Sequence, residues 1–350
     1  MVRNPLYQQD LQSVSQLPLD WNILKNRSIL ISGATGMIGS FLVDLIMHLN
    51  ATQALGCKVY ALGRSENKAK ERFSSYWDDP CFCFVSCDIN RQITLEAETV
   101  DYILHAASNT HPVAYATDPI GTITTNIVGT QNLLDFAVSH GTSRFVFAST
   151  VEIYGENRGD TEAFSEDYCG YIDCNTLRAG YPESKRAGEA LCQAYIQQKG
   201  LDVVIPRLSR VYGPTMLMSD TKALSQFIKN SLAGEDIVLK SAGTQFFSYS
   251  YVADAVSGIL YCLAKGSCGN AYNIADPASN ITLRDLAQTI AENAGTKVVF
   301  QIPDAVESAG YSKATKAVLD SGKLMELGWK PMWDIQAGIR QTIQILKSRG

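Results

Sequence analysis

The chain has 350 residues, 46% hydrophobic and 19% charged, a globular composition with room for one large α/β unit or two smaller domains. A net charge of −5, spread along the chain, excludes the basic face of a nucleic-acid binder. No run of 18 apolar residues marks a membrane span, and the N-terminal "MVRNPLYQQDLQSVSQLPLDW" lacks the apolar core of a signal peptide, so a cytoplasmic protein is expected.

Residues 1–26 read as an N-terminal extension. "SILISG" (28–33) is a short apolar strand, followed by "ATGMIG" and the helical pattern "SFLVDLIMHLN". Further strands are predicted at 58–63, 83–88, 101–107, 144–150 and 202–207, with helices near 66–76, 119–139 and 182–199 between most of them. Apolar strands alternating with helices predict a doubly wound parallel sheet of the Rossmann kind over 27–207. Beyond 207 the rhythm loosens into helices near 222–233, 252–264, 282–294 and 335–348, with short strands at 237–240 and 271–274. That part, 208–350, reads as a smaller α/β substrate-binding domain with a soft boundary and some segments returning to the first. Of nine cysteines, Cys81, Cys83 and Cys87 alternate onto one strand face. The four histidines are scattered and no C-x-x-C occurs, so reduced buried thiols are expected and no metal site.

Gly33, Gly36 and Gly39 follow the first strand and open a helix. Glycines there permit a tight turn, and the helix start offers free N–H groups to a pyrophosphate, so Gly33, Thr35, Gly36, Met37, Ile38 and Gly39 form the expected dinucleotide cradle. The second strand ends in Gly63, Arg64 and Ser65 rather than in an acid. An arginine there pairs with a 2′-phosphate, so the cofactor reads as NAD(P) with NADP slightly favoured over NAD; alternatively, Arg64 stacks on adenine. Asp88, closing the third strand, is placed to accept from the adenine amino group. Tyr181 and Lys185 lie four apart beside Pro182, at a helix start and on one face. Taken alone, such a pair is either surface decoration or a base with its partner.

The ordered blocks "GATGMIG", "ILHAAS" (103–108), "TNIVGTQNLLDFA" (125–137), "FASTVEIYG" (147–155), "YPESK" (181–185), "RVYGP" (210–214) and "VLDSGKLMELGWKP" (318–331) resemble the extended short-chain dehydrogenase/reductase family. The likeness is to its NAD-dependent epimerase/dehydratase group, and the middle third is most similar to UDP-glucuronate decarboxylases. The resemblance implies that Tyr181 is a general base and that Lys185 favours its phenolate and holds the nicotinamide ribose. It makes Thr150 the hydroxyl that orients the sugar and Glu152 a second acid–base group. Ile89, Ala106, Ala107, Ser108 and Asn126 would line the cofactor. The implied reaction is epimerisation, dehydration or decarboxylation of a nucleotide sugar through C4 oxidation. The implied assembly is a homodimer joined through helices 119–139 and 182–199.

Four departures stand out. Phe247 and Thr215 occupy positions where relatives carry arginines, and Arg210 replaces an asparagine. Val151 replaces the aspartate that serves dehydratases as acid. Arg207, Arg210 and Lys222 are therefore the expected substrate-binding cations. Two other functions stay open at this point: a simple NADP-dependent reductase or dehydrogenase, and a non-catalytic dinucleotide sensor.

Overall fold

Mostly apolar runs fold into strands covered on both faces. Strand β1 (Ser28–Ser32) is buried at every position, and β2 (Lys58–Gly63) at four consecutive ones. The computed structural model describes residues 1–97, 99–110, 115, 117–301 and 315–348. Helix α1 (Pro5–Ser15) precedes β1; α2 (Met37–Gln53) and α3 (Glu66–Arg72) flank β2. Then come β3 (Phe82–Ser86), β4 (Tyr102–His105), α4 (Pro119–Ser139), β5 (Arg144–Phe147), β6 (Ser149–Thr150), α5 (Gly180–Lys199) and β7 (Val203–Leu208). The rest comprises β8 (Arg210–Tyr212), α6 (Ala223–Leu232), β9 (Ile237–Leu239), β10 (Phe246–Tyr251), α7 (Val252–Lys265), β11 (Ala271–Ile274), β12 (Asn280–Thr282), α8 (Leu283–Ala294), β13 (Val298–Phe300), β14 (Lys316–Ala317), α9 (Gly322–Glu326) and α10 (Ile335–Lys347).

An eight-stranded parallel sheet has the order β11-β7-β5-β4-β1-β2-β3, with β6 beside β7. The order reverses between β1 and β4, which opens a crevice at the carboxyl ends of the strands. One face is covered by α1, α2 and α7 (Tyr7, Leu11, Phe41, Leu45, Ile259), the other by α4 and α5 (Leu133, Leu134, Phe136, Cys192). Helix α4 begins where Asp118 accepts from the Gly121 N–H at 3.0 Å and Pro119 occupies the first turn.

A second sheet centres on β10, paired antiparallel with β12 and parallel with β8 and β14. Strand β11 and helix α7 return to the large sheet; Arg144 Nη1 donates to the Leu263 and Gly266 carbonyls at 2.9 and 2.8 Å. The N-terminal extension is helical and structural. The Tyr7 hydroxyl donates to Asp44, and the Tyr251 hydroxyl to Asp10, each at 2.6 Å.

Two local expectations change. The strand expected over 144–150 is divided at Ala148, whose carbonyl accepts from Lys185 Nζ at 2.8 Å. The three clustered cysteines do not share a face: β3 begins only at Phe82, so Cys81 packs with the α1–α2 side while Cys83 and Cys87 pack with the α4–α5 side. Among the described residues no set of three His, Cys, Asp or Glu side chains is placed to hold a metal, and no helix is long and apolar enough to cross a membrane.

Candidate active site

At the mouth of the crevice Gly33 has φ +71°. A methyl group there would lie 2.9 Å from the Ala106 carbonyl and the Ala107 Cα, and one at Gly39 would lie 2.4 Å from the Gly33 carbonyl oxygen. Only glycine lets the loop, the end of β4 and the start of α2 meet this closely. Gly36 caps α2 without a side-chain bond, so the first-turn N–H groups around Met37 and Ile38 stay open beside Thr35. A dinucleotide pyrophosphate fits this cradle.

The remaining expected cofactor residues follow the carboxyl ends of β2, β3 and β4 or lie on α4. Ser32 Oγ accepts from the Ala107 N–H at 3.2 Å and contacts His105 Nδ1 at 2.8 Å; burial keeps that imidazole neutral, well below its usual pKa. Ser108 Oγ donates to Asn126 Oδ1 at 2.7 Å, and Asn126 Nδ2 donates to Ser184 Oγ at 2.9 Å. Ser184 in turn donates to the Tyr181 carbonyl, so Asn126 ties the end of β4 to the start of α5. Asp88 accepts from the Asn90 N–H at 3.1 Å, and Ile89 packs under Gly129 of α4. Arg64 is exposed at the end of β2, and Ser65 is taken up as the cap of α3.

Thr150, Glu152, Tyr181 and Lys185 converge where β6 ends and α5 begins. The Thr150 hydroxyl oxygen accepts from the Glu152 N–H at 3.3 Å, which leaves its proton for the Tyr181 phenol. Tyr181 is buried, and burial first, then the Glu152 charge, push the phenol above its usual range; the Thr150 hydrogen bond and the Arg178 charge oppose them. The Lys185 ammonium lies 4.8 Å from the Phe147 ring centroid and donates to Ala148 rather than to the phenol. Burial lowers its pKa to about 8, against the opposing pull of Glu189.

Three functional neighbours escape sequence reasoning. Arg178, one turn before Tyr181, forms an ion pair with Glu152 at 2.8 Å. Its guanidinium also lies 5.0 Å from the Tyr115 ring, which stacks on Tyr181 with centroids 5.0 Å apart. Glu189, four residues after Lys185, joins Ser149 and Arg207. The 178–181 and 185–189 spacings were visible signals; nothing local marks Tyr115.

The expected substrate cations separate. Arg207 is held inside, donating to Glu189 at 2.7 and 3.1 Å, to the Tyr154 hydroxyl at 2.9 Å and to the Glu166 carbonyl at 2.6 Å. Four of its five donors are thereby taken. Lys222 Nζ reaches Thr110 at 3.3 Å and Asp220 at 3.5 Å, beside the loop after β4. Arg210 stacks on Phe247, and its Nη1 is buried with no hydrogen-bond partner among the described residues. Thr215 donates to the Met37 carbonyl at 2.9 Å, so this position links the second part of the chain to the glycine loop.

A family model described as NAD dependent epimerase/dehydratase family matches residues 29–275. UDP-glucuronic acid decarboxylase 3 of Arabidopsis thaliana is 32% identical over 318 residues, covering 90% of this chain and 87% of that protein. UDP-glucuronic acid decarboxylase 1 of Danio rerio is 31% identical over 320 residues, covering 91% and 72%. Among solved structures, a dTDP-glucose 4,6-dehydratase from Streptomyces venezuelae with NAD bound is 26% identical with a TM-score of 0.77, over 92% of this chain and 97% of that one.

Proposed function

The chain belongs to the NAD dependent epimerase/dehydratase family of extended short-chain dehydrogenase/reductase enzymes, and on that premise we propose that it oxidises a nucleotide sugar at C4, with Tyr181 as the base, and returns the hydride within the same catalytic cycle. One observation carries the reading: a buried phenol, bonded by Thr150 and flanked by Glu152 and Arg178, beside a glycine cradle that fits a dinucleotide. The bound nicotinamide supplies the hydride acceptor and later the donor.

Tyr181 takes the proton of the C4 hydroxyl, and Thr150 orients that oxygen. Lys185 uses one of its three N–H donors on Ala148 and keeps two for a ribose hydroxyl. Glu152, held by Arg178, serves at C5, the carbon that a C4 ketone acidifies.

Among the outcomes, decarboxylation is best supported. Val151 offers no acid for dehydration, and relatives covering nine-tenths of the chain are UDP-glucuronic acid decarboxylases. In that reaction the C5–C6 bond breaks, its electron pair moves toward the C4 oxygen, carbon dioxide leaves, and C5 then takes a proton from solvent, while the proton held by Tyr181 returns to the C4 oxygen as the hydride returns to C4.

Within NAD(P), the family and the NAD bound in its solved member weigh for NAD, while Arg64 weighs for NADP. Arg64, Phe247 and Thr215 also favour a second reading, a simple NADP-dependent reductase. Denaturing the purified protein and identifying the released dinucleotide and its redox state separates the two. A tightly held oxidised or mixed NAD pool supports the closed cycle; an empty site that consumes NADPH stoichiometrically overturns it.

A further inference from the structure

Resting on the nucleotide-sugar reading above, we propose that Arg210 is the receptor for a carboxylate carried on C5 of the sugar, and that it decides between hexuronate and neutral hexose substrates. Strand β8 runs parallel to β10 with Arg210 opposite Tyr249. Residues 247 and 249 share a strand face, so the arginine leans diagonally over Phe247. Its guanidinium carbon lies 3.5 Å from the Phe247 ring centroid. Position 247, where the resembled family carries an arginine, is thus an aromatic floor, and the cation reaches it from the neighbouring strand.

The other arginines of the site are engaged: Arg178 with Glu152, Arg207 with Glu189, Arg186 with the Ile153 and Gly170 carbonyls. Among the described residues Arg210 has no carboxylate at ion-pair distance, and its Nη1 is buried without a partner. Arg210 is half-buried, and a buried guanidinium nitrogen with an open donor is costly, a cost that an arriving anion relieves. Burial accordingly weakens its hold on the proton.

The location selects which anion. Leu208 pairs in register with Thr150, and Arg210 follows two residues beyond it, with Glu152 and Arg178 among the charges that act on it. It therefore flanks the part of the sugar next to C4, where C5 and its substituent lie. The pyrophosphate hangs from C1, which lies opposite C4 and is joined to C5 through the ring oxygen. A planar carboxylate at C5 meets the guanidinium fork with two parallel hydrogen bonds. This moves Arg210 from the phosphate role expected from sequence to the other end of the sugar.

The test is calorimetric titration of the full-length, NAD-loaded protein with UDP-glucuronate, UDP-glucose and UDP. Arg210→Gln should weaken UDP-glucuronate binding about 10- to 100-fold, the scale of a lost hydrogen bond to a charged group, and leave the other two unchanged. Arg210→Asn combined with Phe247→Arg should restore the preference. Equal losses for all three ligands, or no loss in a folded variant, overturns the proposal. If Arg210→Gln does not fold, Arg210→Lys carries the test: a loss confined to UDP-glucuronate supports the proposal, and unchanged affinity overturns it. Wild-type protein that binds none of the three sinks the nucleotide-sugar reading itself, an outcome distinct from failure of the Arg210 assignment alone.

Discussion

Removing Arg178 separates electrostatics from architecture at this site. The Arg178–Glu152 pair is partly open to solvent, with side-chain exposures of 48% and 26%, so breaking it should cost stability no more than about 1 kcal/mol. Its effect on the phenol should be larger. The guanidinium is 5.0 Å from the Tyr115 centroid, which is 5.0 Å from that of Tyr181, so the cation lies within 10 Å of the phenol ring. At an effective dielectric of about 20, that separation corresponds to about 1.7 kcal/mol, and solvent screening of a half-exposed guanidinium brings it to roughly 1 kcal/mol. Arg178 lowers the Tyr181 pKa and Glu152 raises it. Arg178→Ala should therefore shift the rise of kcat with pH to higher pH, reducing the phenolate fraction about three- to tenfold at a fixed pH. Glu152→Gln should shift the same limb to lower pH, whatever it does to the maximal rate. Profiles of kcat and kcat/KM for both variants, beside thermal melts, check this. Unshifted limbs, or shifts of the same sign in both variants, would refute the electrostatic account of the base.

Lys185 gives a stability prediction of definite sign. Its pKa is about 8 in the fold against 10.5 unperturbed, so its burial costs up to about 3 kcal/mol below about pH 8, and that cost fades as pH rises to about 10.5. Relative to Lys185→Met, the cofactor-free wild type should gain stability in urea melts across that window; a flat difference contradicts the burial. Arg64→Ala should weaken NADP binding by about 1.5–3 kcal/mol and spare NAD, and equal losses would show that Arg64 only stacks on adenine. Helix α4 exposes Ile120, Ile123, Val128 and Val138, and a twofold contact through α4 and α5 should give a species of twice 38.3 kDa in sedimentation. Ile120→Glu should dissociate it; a wild type that sediments only near 38.3 kDa excludes the dimer.

The large sheet was legible because its strands are short apolar runs bounded by turn residues, and α4 lies where a helix was expected, with Asp118 and Pro119 forming its start. The second sheet was not. Strands β8 and β12 have three residues each, too few for a period, and they exist through pairing with distant β10. Helix α1 carried a readable signal, Tyr7, Leu11 and Val14 at helical spacing behind an Asn4 cap, but its polar majority hid it. The site divides the same way. Thr150, Tyr181 and Lys185 were readable as motif residues, and the fold brings them to the same end of the sheet. Arg207 looked like any strand-end cation, and only the fold reveals that Glu189 neutralises it. Arg210 could be noticed as a departure, but its ring partner and its open donor belong to strand register.

The central claim, C4 oxidation of a nucleotide sugar by Tyr181, is tested most directly by rapid mixing of the cofactor-loaded protein with a panel of UDP-, dTDP-, CDP- and GDP-sugars while reduced-nicotinamide absorbance is followed. The account predicts a transient rise with at least one sugar in the wild type. In Tyr181→Phe, with the fold and dinucleotide content intact, the rise should be slowed by at least about a hundredfold, the scale of a lost general base. Silence across the panel with cofactor bound, or an undiminished rate in Tyr181→Phe, would contradict it.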